Sequence, residues 1–203
     1  MKTLLSYHND TKLKKDFLRE ITKHIKDDAV RQGTYGRQNG DWKGCAVACS
    51  LRSLAILDGE ELKVNYEDHS LYETKLGIPE WLARLEDTIF EGLPKEDAKK
   101  WVGQFAKAIP VGINLEPIKY KFCSFILKEQ IDRVLALKDI DDFLKEQVVK
   151  AIQGVLTLHE KAIKTGRWNK RAESAAESAA RSAESAAYKK YANQLLKLLK
   201  EAK

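Results

Sequence analysis

QGTYGRQNGDWKGCAVACSLRSLAILDG, residues 32–59, decides the fold of this chain. Its first half is punctuated by Gly33, Gly36, Gly40 and Gly44, with Tyr35, Arg37, Trp42 and Lys43 between them. Glycine adopts backbone angles that other residues avoid, so this half reads as a long loop. Its second half, residues 45–57, is apolar on nearly every side. A short helix of that kind belongs inside a protein. Asp58 and Gly59 turn the chain after it.

A buried helix needs others around it, and both flanks supply them. Leu13, Phe17, Ile21 and Ile25 recur every four residues among lysines, behind possible N-caps at Asn9 to Thr11. That is an amphipathic helix with one buried stripe. Downstream, Pro79 and Pro94 each suit a helix start, where the missing N–H costs nothing. Trp81, Leu82, Leu85 and Ile89 form the inner face of the first of these helices, and Gly92 ends it. Trp101, Phe105 and Ala108 form the inner face of the second, which stops before Pro110. The stretch 63–76 has no clear period and reads as irregular. Residues 117–128 read as a short buried helix, or alternatively a strand. A long helix spans 139–164 and breaks at Thr165 and Gly166.

The tail differs in kind. Residues 171–203 are dominated by Ala and Ser, with Glu, Arg and Lys and no Pro or Gly. Such a composition favours helix strongly. Ala172, Ala176, Ala180, Ala183 and Ala187 lead into Tyr191, Leu195 and Leu198. The expected fold class is therefore mainly α: a compact helical body over 1–166 and a long Ala-rich helix over 167–203. That helix packs on the body, stands free, or joins copies into a homo-oligomer.

Charge and cysteine content narrow the function. The net charge is +6, but the ends carry the excess: +4 over residues 1–26 and +7 over 161–203, against −5 between them. A duplex nucleic-acid binder would not be acidic over most of its length, and glutamates alternate through the tail near the lysines Lys189, Lys190, Lys197 and Lys200. Nucleic acid is thus not an expected partner. No apolar run approaches the roughly 20 residues of a membrane span, and the N-terminus has too short an apolar stretch for a signal peptide. Three cysteines are too few and too odd for a disulfide framework. A cytoplasmic protein is expected, with no membrane partner.

Few residues offer chemistry. Cys45 and Cys49 share a helix face, yet a zinc site needs further ligands, and His8, His69 and Cys123 stand at no diagnostic spacing. Neither a metal nor a cofactor is expected. Cys45 follows Gly44 at a helix start, where the helix dipole lowers a thiol pKa. With His69 or His8 as base it would be a nucleophile, which gives the alternative of a Cys/His hydrolase or transferase. Against that, cysteine is commonly a small buried hydrophobe. His8, just before a helix, reads as capping or surface, and His69, among acids and tyrosines, as part of a polar network. His24 and His159 read as boundary residues. Glu80, Glu86, Asp87 and Glu91 read as the solvated face of their helix.

The glycine loop is the best candidate binding surface. Free backbone amides, the cations Arg37 and Lys43, and the rings of Tyr35 and Trp42 suit a small anion such as a nucleotide. His8, Arg52 and His69 are second choices nearby.

Several segments together carry a resemblance. Tyr7-His8, QGT at 32–34, GCAVAC at 44–49, LGIPEWLARLEDTIFEGLP at 76–94 and AIPVGINL at 108–115, closed by the Ala-rich tail, resemble a group of phage and prophage proteins. The resemblance spans about the first two-thirds of the chain and the character of its tail. It brings no site residue with it. It implies a phage accessory protein that acts on the host, for example by inhibiting a defence system. Combined with the loop, the expectation is a non-enzymatic protein that binds or sequesters a ligand or a host protein. A purely structural oligomer built through the C-terminal helix is the third alternative.

Overall fold

The structure is a computed structural model; it describes residues 3–37, 41–60, 64–171 and 174, with Arg37 in its backbone alone. It is mainly α-helical. The chain divides into two units, residues 1–116 and 117–203. That division falls within the body expected over 1–166. The expected tail helix lies almost wholly outside the described residues.

Among the described residues the first unit holds five α-helices: α1 (Thr11–Lys26), α2 (Ala46–Asp58), α3 (Leu71–Leu76), α4 (Glu80–Gly92) and α5 (Lys95–Ala108). Helix α1 is capped by Asp10, whose carboxylate accepts from the amides of Lys12 and Leu13. Its inner face buries Phe17 and Ile21, with Leu13 and Ile25 packed at the margin, as the four-residue period predicts. Helix α2 is buried along most of its length and packs against α1, α3 and α4. Helix α5 packs in turn on α1 and α4.

The long glycine loop carries two short strands. Strands β1 (Tyr35–Arg37) and β2 (Lys43–Gly44) pair antiparallel with an irregularity in β1. The amide of Gly44 donates to Ala29 O, and the amide of Cys45 to Thr34 O at 2.6 Å. These bonds fix where α2 begins. Residues 71–76 form α3 where no period is visible in the sequence, because Tyr72 and Leu76 are buried by packing on α4. Helix α5 buries Ala98, Val102 and Ala106. Trp101 and Phe105 lie at its margin, and Ala108 is exposed, so the inner face is turned from the one the sequence suggests.

The N-terminal segment closes the unit. Tyr7, His8 and Asn9 all have positive φ, at 52°, 51° and 58°. Three such residues in a row are costly and persist only where surrounding bonds enforce them. Here they do. The Ser6 amide donates to Ile113 O at 3.0 Å, the Gly112 amide donates to Ser6 O at 2.8 Å, and the Ser6 hydroxyl donates to Pro110 O. The Tyr7 hydroxyl, fully buried, donates to Ala106 O at 2.6 Å.

The second unit contains α6 (Glu116–Ala136) at its start and α7 (Asp142–Thr165). Residues 117–128 are thus helical, but within a helix of 21 residues that buries Ser124 and leaves Ile118, Phe125 and Ile126 exposed, so the short buried helix expected there is corrected. Asp141 caps α7 through the Leu144 amide, and Gly166 ends it. Tyr120 stacks on Trp168 at 5.7 Å, with His159 beside them. Lys128 and Glu160 form an ion pair at 3.0 Å. Along α7 Ala162 is enclosed, whereas Val148 and Ile163 are exposed. No described helix is long and apolar enough to cross a membrane.

Candidate functional site

Helix α4 turns two of its charges inward. Its buried face is Leu82, Ala83, Glu86, Asp87 and Phe90. This corrects the expectation that Glu86 and Asp87 are solvated; they are 1% and 8% exposed. Their partners come from elsewhere in the first unit. The Tyr72 hydroxyl, on α3, donates to Glu86 Oε2 at 2.7 Å. The Tyr35 hydroxyl, on β1, donates to Asp87 Oδ2 at 3.0 Å. His69 Nε2 lies 3.4 Å from the same oxygen. Burial pushes the Glu86 carboxyl up to about 8, against the opposing hydrogen bond from Tyr72. It is therefore largely protonated at neutral pH.

Cys45 joins this cluster from the N-cap of α2. Its Sγ, a carboxylate oxygen of Asp87 and one of Glu91 lie within 4.8 Å of one another. Glu91 reaches the group from the surface, where both its oxygens accept from the Gly33 amide. The helix-start amides of Ala48 and Val47 do lower the thiol pKa, as expected for that position. Burial outweighs them, and the Asp87 charge adds to burial, so the thiol is held well above its ordinary value. No hydrogen bond joins Cys45 to His69 or His8 among the described residues. His69 Nδ1 faces Glu67 O at 2.9 Å, and His8 Nε2 faces Thr74 O at 3.0 Å on the exposed side. The elements of a Cys/His nucleophile are thus present but not assembled as one. Cys49 donates instead to Gly44 O at 3.3 Å. In the folded protein, Cys45 and Cys49 are expected to resist iodoacetamide at neutral pH, while half-buried Cys123 reacts. Peptide mass analysis checks this; rapid labelling of Cys45 would restore the nucleophile reading.

The loop residues expected to share one surface part company. Trp42 turns inward, its ring 5.4 Å from His24 and 5.8 Å from Tyr66. The Arg52 guanidinium covers it at 4.4 Å. The aromatic–cation pairing therefore forms within the protein, and Trp42 offers no free face for a base. Tyr35 is 41% exposed, but its hydroxyl is committed to Asp87. The Arg37 side chain lies outside the described residues.

Lys43 reaches a cleft. That cleft, about 430 Å³, is lined by Asp28, Val30, Arg31, Gln32, Lys43, Phe90, Lys95, Ala98 and Lys99. Four cations face one carboxylate there. Lys99 and Lys43 hold Asp28 at 2.7 and 3.5 Å, which keeps its carboxyl below the usual range. Gln32 fixes the wall: its amide donates to Phe90 O and Leu93 O at 2.8 Å, meeting carbonyls at the end of α4. Arg31, Lys95 and Lys99 are invisible as a group in sequence, because α5 lies far along the chain from residue 31.

Comparison of the chain with protein-family models, with curated proteins and with solved structures finds no match.

Proposed function

We propose that this protein is a non-enzymatic binding protein of phage origin that sequesters a small anionic ligand of the nucleotide class. The observation that carries this reading is the cleft between residues 28–32, β2 and the start of α5. Arg31, Lys43, Lys95 and Lys99 converge on about 430 Å³, against the single carboxylate of Asp28. Pockets for small ligands fall in the range of roughly 300–1,000 Å³. The mixture of one guanidinium and three ammonium groups suits phosphate oxygens, and Val30, Phe90 and Ala98 supply apolar wall. Asp28 occupies two of the lysines, and an anion would displace it.

The phage setting rests on the resemblance in residues 44–49 and 76–94. In that setting, removal of a nucleotide signal is a direct way to inhibit a host defence system.

Titration of the full chain with inorganic pyrophosphate and with ATP, followed by calorimetry, tests the reading. Binding is expected to weaken as salt rises, since exposed charges are screened. Lys95→Glu with Lys99→Glu is expected to weaken it by about tenfold or more, equivalent to at least about 1.4 kcal/mol. Asp28→Asn removes the competing carboxylate and is expected to tighten it. No binding by the unaltered protein, or indifference to all three substitutions, would sink the proposal.

A further inference from the structure

The cluster around Asp87 lies apart from the basic cleft in its chemistry. It gathers a thiol, an imidazole and two carboxylates. We infer that Cys45, His69, Asp87 and Glu91 form a binding site for a divalent transition metal of the zinc class.

Three observations support this. The first is the donor set. Cys45 Sγ and oxygens of Asp87 and Glu91 lie within 4.8 Å of one another. Thiolate, imidazole and carboxylate are the ligands zinc takes, at about 2.0–2.3 Å, so neighbouring donors in a tetrahedral site stand roughly 3.5 Å apart. Glu91 is exposed and can swing inward to close the remaining distance.

The second observation is the placement of His69. Its Nδ1 donates to Glu67 O at 2.9 Å, which turns Nε2 toward Asp87 Oδ2 at 3.4 Å, a separation that matches an edge of a zinc tetrahedron. A backbone carbonyl on Nδ1 is also the usual outer partner of a metal-bound histidine.

The third observation is the unmet capacity of Asp87. The residue is 8% exposed, and its Oδ1 is buried without a hydrogen-bond partner. A buried carboxylate oxygen left without a partner costs stability unless something charged meets it.

Metal binding would remove the Cys45 proton to solvent, leaving a thiolate bound to the cation and releasing one proton per ion. The cation would reverse the effect of burial on that thiol, because a bound metal becomes the largest local charge. The thiol and Asp87 are enclosed, whereas Tyr35 and Glu91 at the outer side reach solvent, which gives an entry path.

The experiment uses the full-length chain, stripped of metal by a chelator, titrated with Zn²⁺ alone and then with Co²⁺ alone. One equivalent of Zn²⁺ is expected to bind with release of one proton. Co²⁺ is expected to give a thiolate charge-transfer band in the near ultraviolet. Cys45→Ser should abolish that band. Glu91→Gln, a surface substitution that leaves the core intact, should weaken Zn²⁺ by about tenfold or more. Indole fluorescence and circular dichroism of the metal-free variants establish that they fold. Absence of the cobalt band in the unaltered protein would overturn the inference, as would equal Zn²⁺ affinity in folded Glu91→Gln.

Discussion

Stability should fall as pH rises from about 4.5 to about 8, and Glu86→Gln should remove most of that slope. In the unfolded chain the Glu86 carboxyl releases its proton above about 4.5; folded, it keeps the proton until about 8. The folded state therefore binds one more proton than the unfolded state across this window. Each pH unit then costs about 1.4 kcal/mol, and the loss levels off above the folded value, after roughly 4–5 kcal/mol at most. The carboxylates of Asp16, Glu20 and Asp28 shift the other way, downward, under the pull of Lys12, Lys23 and Lys99. Their contributions are lost only on acidification below the ordinary carboxylate range, outside this window. The buried thiols of Cys45 and Cys49 titrate above it.

Glutamine imitates the protonated carboxyl in shape and charge and still accepts from the Tyr72 hydroxyl. At acid pH the variant should match the parent; near pH 8 it should exceed it by a large part of those roughly 4–5 kcal/mol. Urea denaturation of both proteins at stepped pH measures this directly. Parallel pH profiles for parent and variant would exclude Glu86 as the source.

Gly77→Ala should destabilise the protein by about 3–4 kcal/mol, more than any ordinary surface change. Gly77 has φ +62°, where an L side chain is already strained by about 1–2 kcal/mol. Its new Cβ would also run into the Leu5 carbonyl, with His8 Nδ1 close behind at 3.2 Å. Leu5 cannot retreat cheaply. Its carbonyl accepts from the His8 amide at 2.8 Å, and the next residue is tied to Ile113 and Gly112. Displacing it would release the three left-handed residues that follow.

Gly112→Ala supplies the contrast. It has a similar φ, +74°, but its Cβ would meet the side-chain oxygen of Asn9 rather than backbone. A side chain can rotate away, so the expected loss is about 1–2 kcal/mol. Asn9→Gly keeps the left-handed backbone and removes the obstacle. It should recover part of the Gly112→Ala loss and none of the Gly77→Ala loss. A double-mutant cycle of thermal or urea stabilities reads this coupling. Equal effects of the two glycine substitutions would contradict the backbone clash.

Sequence by itself determined most of the helices and the burial of α1 and α2. The all-round apolar character of residues 45–57 required an enclosed α2, and the four-residue recurrence from Leu13 to Ile25 required α1 to lie on something. Pro79 and Pro94 marked two helix starts, which the structure places one residue later, with each proline as N-cap. These are local properties, set by side-chain spacing and backbone restriction.

Tertiary structure decided which polar residues could enter the core. Leu82, Ala83, Glu86, Asp87 and Phe90 form one continuous stripe on α4, so periodicity alone admits it as an inner face. Charge argued the opposite, because a buried carboxyl needs partners. Those partners are Tyr72, 14 residues away, Tyr35, 52 residues away, and His69, 18 residues away. Spacing within a helix holds no record of them. The same holds for the basic cleft, where Arg31 and Lys43 meet Lys95 and Lys99 only after α5 has packed on α1. It holds too for Trp42, which looked free to stack on a ligand until Arg52, His24 and Tyr66 closed around it. Helix formation depends on near neighbours along the chain. Neutralising a buried charge, or assembling a charged cleft, depends on groups that only folding brings together.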